Sequence, residues 1–101
     1  MIVLLKQKLT DVFGDNIHDV VLFGSQSRNK QNHFSDYDIL IVIKHGYTWK
    51  EKNTIRDICY DISVDNDILI DSKIISLPDI ENKIWGKHPL ITDAIKYGIH
   101  A

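Results

Sequence analysis

Residues 36–43 read Asp-Tyr-Asp-Ile-Leu-Ile-Val-Ile, two acids two positions apart followed by five apolar residues without a break. A run with no polar alternation is the pattern of a strand buried on both faces, the centre of a sheet rather than its rim. Such a strand needs covering layers on either side, which directs the chain to an α/β (α+β) architecture, a sheet flanked by helices. The side chains of a strand alternate, so Asp36 and Asp38 turn to the same face at its leading end. Two carboxylates whose backbones are roughly 6–7 Å apart, leaning the same way, repel each other unless a cation lies between them.

The remaining elements fit around that strand. Ile2, Leu5, Leu9 and Phe13, with Val12, recur at three- and four-residue intervals, which predicts an amphipathic helix over 2–13 with Gly14 as its stop. Residues 17–23 are β-branched and aromatic enough for a short buried strand, and Gly24-Ser25 begins a turn or the first turn of a helix. Residues 29–35 read as a polar loop. A helix is expected over 48–62, with Trp49, Ile55, Ile58 and Ile62 on or near one face, Thr48 as N-cap and Glu51 at the capping-box position. Asp65-Asn66-Asp67 is turn-like, 68–76 is a third strand, Pro78 suits the start of a short helix, and Leu90–Tyr97 forms another that stops at Gly98. The expectation is one domain over 1–101, built on a three- to four-stranded mixed sheet.

Composition narrows the function classes. The formal net charge is -2, so no strong field attracts a nucleic-acid backbone, and a nucleic-acid partner is not expected. The apolar opening 1–5 is interrupted at Lys6 and is too short for a membrane span. A lone cysteine, Cys59, allows no intrachain disulfide, and no signal peptide is visible, so the expected compartment is the cytoplasm. The five histidines show no i, i+4 metal pair and no cysteine company, which argues against zinc. Cys59, between Ile58 and Tyr60 in the second helix, reads as a buried inert thiol.

Chemistry concentrates in Gly24-Ser25, then ten residues, then Asp36-Tyr37-Asp38. Glycine lets the backbone approach a ligand closely, and a helix start beyond it directs free N–H groups at an anion. Ser25 adds a hydroxyl, and Arg28, one helical turn on, can reach the same phosphates. The acid pair suits magnesium, which keeps water and substrate phosphate oxygens beside one or two carboxylates. Asp-x-Asp alone is weak, since Asp65-Asn66-Asp67 matches it too; the flanking strands and the Gly-Ser spacing give it weight. Gly-x-Ser-x-Gly is absent around Ser25, which argues against a serine hydrolase.

The string Leu22-Phe-Gly-Ser-Gln-Ser-Arg-Asn29 followed by Ser35-Asp-Tyr-Asp-Ile-Leu-Ile-Val42 resembles the Gly-Ser-x10-Asp-x-Asp signature of the DNA polymerase beta-like nucleotidyltransferase superfamily. Chain length and element order resemble its minimal nucleotidyltransferase branch, found in HEPN/MNT toxin–antitoxin pairs. Asn29 stands where relatives often carry glycine, and asparagine tolerates a left-handed turn. The resemblance implies a polymerase-beta-like fold and transfer of a nucleoside monophosphate, with AMP from ATP the first choice and other nucleoside triphosphates open. It implies two magnesium ions held by Asp36 and Asp38, with Gly24, Ser25 and Arg28 on the triphosphate. It also implies a third carboxylate on a later strand. Asp71 fits best, because an acid within a buried strand is costly without a cation; Asp67, four residues earlier with the same parity, is the alternative.

Three functions follow from the resemblance. One is AMP transfer to a hydroxyl of a partner protein such as a HEPN toxin, an antitoxin role. A second is transfer to a small molecule, as in aminoglycoside-modifying relatives, where the acceptor pocket would require extra helices or a homodimer. The third is an antitoxin that binds its partner sterically without catalysis.

Overall fold

The computed structural model describes residues 2–23, 36–81 and 89–101, with Asp36 and Leu90 described by their backbone. Helix α1 (Ile2–Phe13) buries Leu5 and Leu9 and ends where Gly14 takes φ 61°, a left-handed conformation that costs glycine nothing. A single 3-10 turn, Gly14–Asn16, leads into β1 (Ile17–Phe23). Strand β1 pairs antiparallel with β2 (Asp36–Ile43), and the register shifts between Ile17 and Asp19. That bulge reverses the parity of the strand, so that Ile17 and Val20 both face the same core.

Helix α2 (Trp49–Asn66) opens with the expected capping box. The Glu51 amide donates to Thr48 Oγ1 at 3.2 Å, and the Thr48 amide donates to Glu51 Oε1 at 2.8 Å. Such a pair stabilises a helix start by about 1 kcal/mol. The helix carries the chain back so that β3 (Leu69–Ser76) lies parallel to β2. Helix α3 (Leu77–Glu81) follows at once, begun by Ser76, whose Oγ accepts from the Asp79 amide while an Asp79 oxygen accepts from the Ser76 amide. Helix α4 (Pro89–Tyr97) then turns at Gly98 into β4 (Ile99–His100), antiparallel to β1. The sheet order is β3-β2-β1-β4, a mixed four-stranded sheet as the sequence implies.

Alternation along β2 feeds two cores. Ile39, Ile41 and Ile43 pack with Leu5 and Leu9 of α1 and with Ile55, Cys59 and Ile62 of α2. Leu40 and Val42 pack on the other face with Ile91 and Ala94 of α4 and with Ile75 of β3. All five apolar residues of β2 are at most 2% exposed, and burying each contributes about 1.5–3 kcal/mol. Among the described residues no helix is long and apolar enough to cross a membrane.

Three expectations need correction. Helix α2 runs to Asn66, so Asp65 and Asn66 are helical and only Asp67 leaves the helix, in the left-handed conformation at φ 55°. Its last turn is held from the side: Ser63 Oγ donates to the Cys59 carbonyl at 2.8 Å and Asn66 Nδ2 to the Ile62 carbonyl at 2.9 Å. Trp49 does not join the buried face but is 76% exposed, because the first residue after the cap lies on the outer side of the helix. No strand was expected after Gly98, where β4 supplies the fourth of the three to four strands foreseen, two residues that become a strand only by pairing with β1.

The β4 end is tied down closely. A side chain at Gly98 would put its Cβ 2.4 Å from the Ala94 carbonyl oxygen and 2.3 Å from Val21 Cγ1. Backbone oxygen cannot yield, so Gly98→Ala should lower stability by about 1–3 kcal/mol in urea denaturation; an unchanged midpoint would show that the turn can relax. Both ring nitrogens of His100 face acceptors, the Asp19 carboxylate at Nδ1 and the Ile95 carbonyl at Nε2. Only the imidazolium carries two N–H groups, so the Asp19 bond first and the Ile95 bond second raise the His100 pKa above its ordinary 6.5. Because the folded value is the raised one, this contribution is complete below pH 6.5 and fades as pH climbs through the folded value. Stability measured across that interval should decline in the wild type and decline less in His100→Gln.

Candidate active site

The leading end of β2 holds the acids, and the sheet decides what stands beside them. In the register of the antiparallel pair Asp38 lies opposite Phe23, the last residue of β1. In the parallel pair Asp36 lies beside Leu69 and Asp38 beside Asp71. Neighbouring strands are about 4.8 Å apart, and residues in direct register share a face, so the strip Phe23–Asp38–Asp71 crosses three strands on one side of the sheet. This is the side of Leu40, Val42 and Ile75, and α4 covers it only further along the strands. Asp38 is accordingly half-buried and Asp71 exposed.

The two candidates for a third carboxylate thus part company. Asp67 is exposed and serves as the left-handed C-cap of α2, its amide donating to the Ser63 and Val64 carbonyls. It is not in β3. Asp71 is, and it stands beside Asp38. One expectation for Asp71 is corrected: among the described residues β3 has no strand beyond it and Asp71 is exposed, so burial is not what sets it apart. Its register position does. Lys73, on the same face two residues later, is a charged neighbour that sequence reasoning passed over, although strand alternation signals it.

Gly24, Ser25 and Arg28 lie outside the described residues, as does the side chain of Asp36. Among the described residues no group of three or more His, Cys, Asp or Glu side chains is placed to hold a metal ion. Asp38 and Asp71 are nonetheless hard oxygen donors on one face of adjacent strands, a donor set that fits magnesium and not a softer metal.

A family model described as "Polymerase beta, Nucleotidyltransferase" matches residues 7–94. The chain belongs to this family. A relative from Methanocaldococcus jannaschii, named "Putative protein adenylyltransferase", is 38% identical over 65 residues, 64% of this chain and 66% of the relative. A crystal structure of the toxin–antitoxin MntA–HpeT, in a mutant with two aspartates changed to glutamates, superposes with a TM-score of 0.56. That match covers 94% of this chain and 68% of the other at 14% identity, a likeness of fold.

On the other face of the sheet, Cys59 of α2 is 4% exposed. Burial pushes its thiol pKa up, against a smaller opposing effect of a hydrogen bond with Ser72. Thiolate is the reactive form, so iodoacetamide at mildly alkaline pH should modify Cys59 at least about a hundredfold more slowly in the folded chain than in urea. Equal rates would place the thiol at the surface.

Proposed function

We propose that this chain is a magnesium-dependent nucleotidyltransferase that moves AMP from ATP to an acceptor hydroxyl, and that the acceptor is on a partner protein. The observation that carries the reading is the lateral pairing of Asp38 with Asp71 at the mouth of β2, inside the segment matched by the family model. The name of the Methanocaldococcus jannaschii relative supports a protein acceptor and adenylyl transfer. The toxin–antitoxin likeness, together with the sequence resemblance, supports a HEPN-type toxin as partner and an antitoxin role.

In this reading Asp36, Asp38 and Asp71 hold two magnesium ions. Bound there, these would neutralise charge on the triphosphate and lower the pKa of the acceptor hydroxyl. The chain's own groups do the positioning. Gly24 allows the triphosphate close to the backbone, Ser25 offers a hydroxyl to it, and Arg28 sets a guanidinium against its oxygens. The acceptor hydroxyl gives up its proton to water and its oxygen attacks the α-phosphorus in line; a P–O bond forms, the bond to the β-phosphate oxygen breaks, and pyrophosphate leaves. Little covalent work falls to side chains, so the rate derives from alignment and charge neutralisation.

The test is incubation with magnesium and α-labelled ATP, with and without a co-purified partner. Label should enter the partner protein, and Asp38→Asn should cut that transfer by about a hundredfold or more while circular dichroism shows an unchanged fold. Label entering an added aminoglycoside instead would point to a small-molecule acceptor. Tight complex formation without any transfer would defeat the catalytic reading.

A further inference from the structure

Strand β3 has β2 on one side and, among the described residues, no strand on the other. Two hollows lie along this open rim. One, about 680 Å³ and set between β3 and α2, is lined by Tyr60, Val64, Asp67, Leu69 and Asp71. The other, about 360 Å³, is lined by Lys52, Lys73, Ile75 and Asp79 and reaches Leu40 and Ile91 on the opposite face, and Arg56 borders both. Lys52, Arg56, Tyr60 and Val64 follow one another at four-residue spacing and so form a single stripe on α2. Tyr60, Val64 and Leu69 are 68%, 61% and 53% exposed, a concentration of apolar surface beside an unpaired strand.

We infer that this rim is a dimer interface, with β3 pairing antiparallel to β3 of a second copy about a twofold axis at Ser72, so that Asp71 meets the partner's Lys73. The strand is its own complement when reversed. Centred on Ser72, Leu69 falls opposite the partner's Ile75, Ile70 opposite the partner's Ile74, and Asp71 opposite the partner's Lys73. Directly opposed residues in an antiparallel pair share a face, and opposite charges there attract. Other registers are worse. An axis at Asp71 would set that carboxylate against its own copy, and an axis at Lys73 would set ammonium against ammonium. The flanking surface agrees in net charge: Lys52 and Lys73 outweigh Asp79 at one end of the rim, Asp67 and Asp71 stand at the other, and Arg56 lies between. A twofold axis brings each end against its opposite, as an isologous interface requires. The pairing requires neither nucleotide nor metal.

Sedimentation equilibrium of the purified chain, without nucleotide and with a chelator, tests this. The wild type should associate to a dimer. Asp71→Lys and Lys73→Asp each turn two attractive contacts into two repulsive ones and should each weaken the dimer by about tenfold or more. Mixing the two single variants should yield a heterodimer, because one chain then offers lysines at both positions and the other aspartates. The double variant D71K/K73D should recover self-association. A wild type that stays monomeric would leave the rim to a different polypeptide and overturn the proposal. Dimers that ignore both single reversals, or fail to re-form in the mixture and in the double variant, would overturn it equally.

Discussion

Burial of β2 on both faces is the constraint from which the rest of the molecule takes its position. Ile39, Ile41 and Ile43 are committed to the layer of α1 and α2, while Leu40 and Val42 are committed to the layer of α4. A slip of one residue would exchange the two sets and present each core with side chains shaped for the other. Asp38 continues the Leu40 and Val42 alternation, so the energy that fixes the cores also aims its carboxylate. Its direction follows from packing several residues away.

The strands beside β2 complete the arrangement by different routes. Antiparallel β1 ends level with Asp38, at Phe23. Parallel β3 reaches the same level only because α2 returns the chain to the sheet's leading end. Errors in the span of α2 would therefore shift Asp71 along β2, and both ends of that helix are defined: a capping box at Thr48 and a left-handed Asp67. Two long-range features, a crossover and a hairpin, thus converge on one lateral row of side chains.

Much of this was legible in the chain and some was not, for identifiable reasons. The bounds of β2 could be read outright because acids end its apolar run on one side and Lys44-His45-Gly46 on the other. The start of α2 was equally plain from Thr48 and Glu51. Its end was not, since Asp65-Asn66-Asp67 has the composition of a turn, yet Asp65 and Asn66 stay in the helix and only Asp67 leaves it. Strand β4 could not be seen, as two residues carry no periodicity. Asp71 was singled out for burial, whereas it is exposed and distinguished by register, a property that belongs to two strands and cannot be read from either. The phosphate-binding half of the candidate site, Gly24, Ser25 and Arg28, lies beyond the described residues, so its legibility rests on the motif.

The hairpin of β1 and β2 has a further implication. Phe23 and Asp38 are held opposite one another by the ladder, so the chain between the two strands leaves and re-enters the sheet at adjacent points. Doubling the length of a segment whose ends are already pinned costs only about 0.6 kcal/mol in closure entropy. Descendants of such a chain could change the length between Arg28 and Asp36 at little entropic cost, while the carboxylate row stayed where the cores put it.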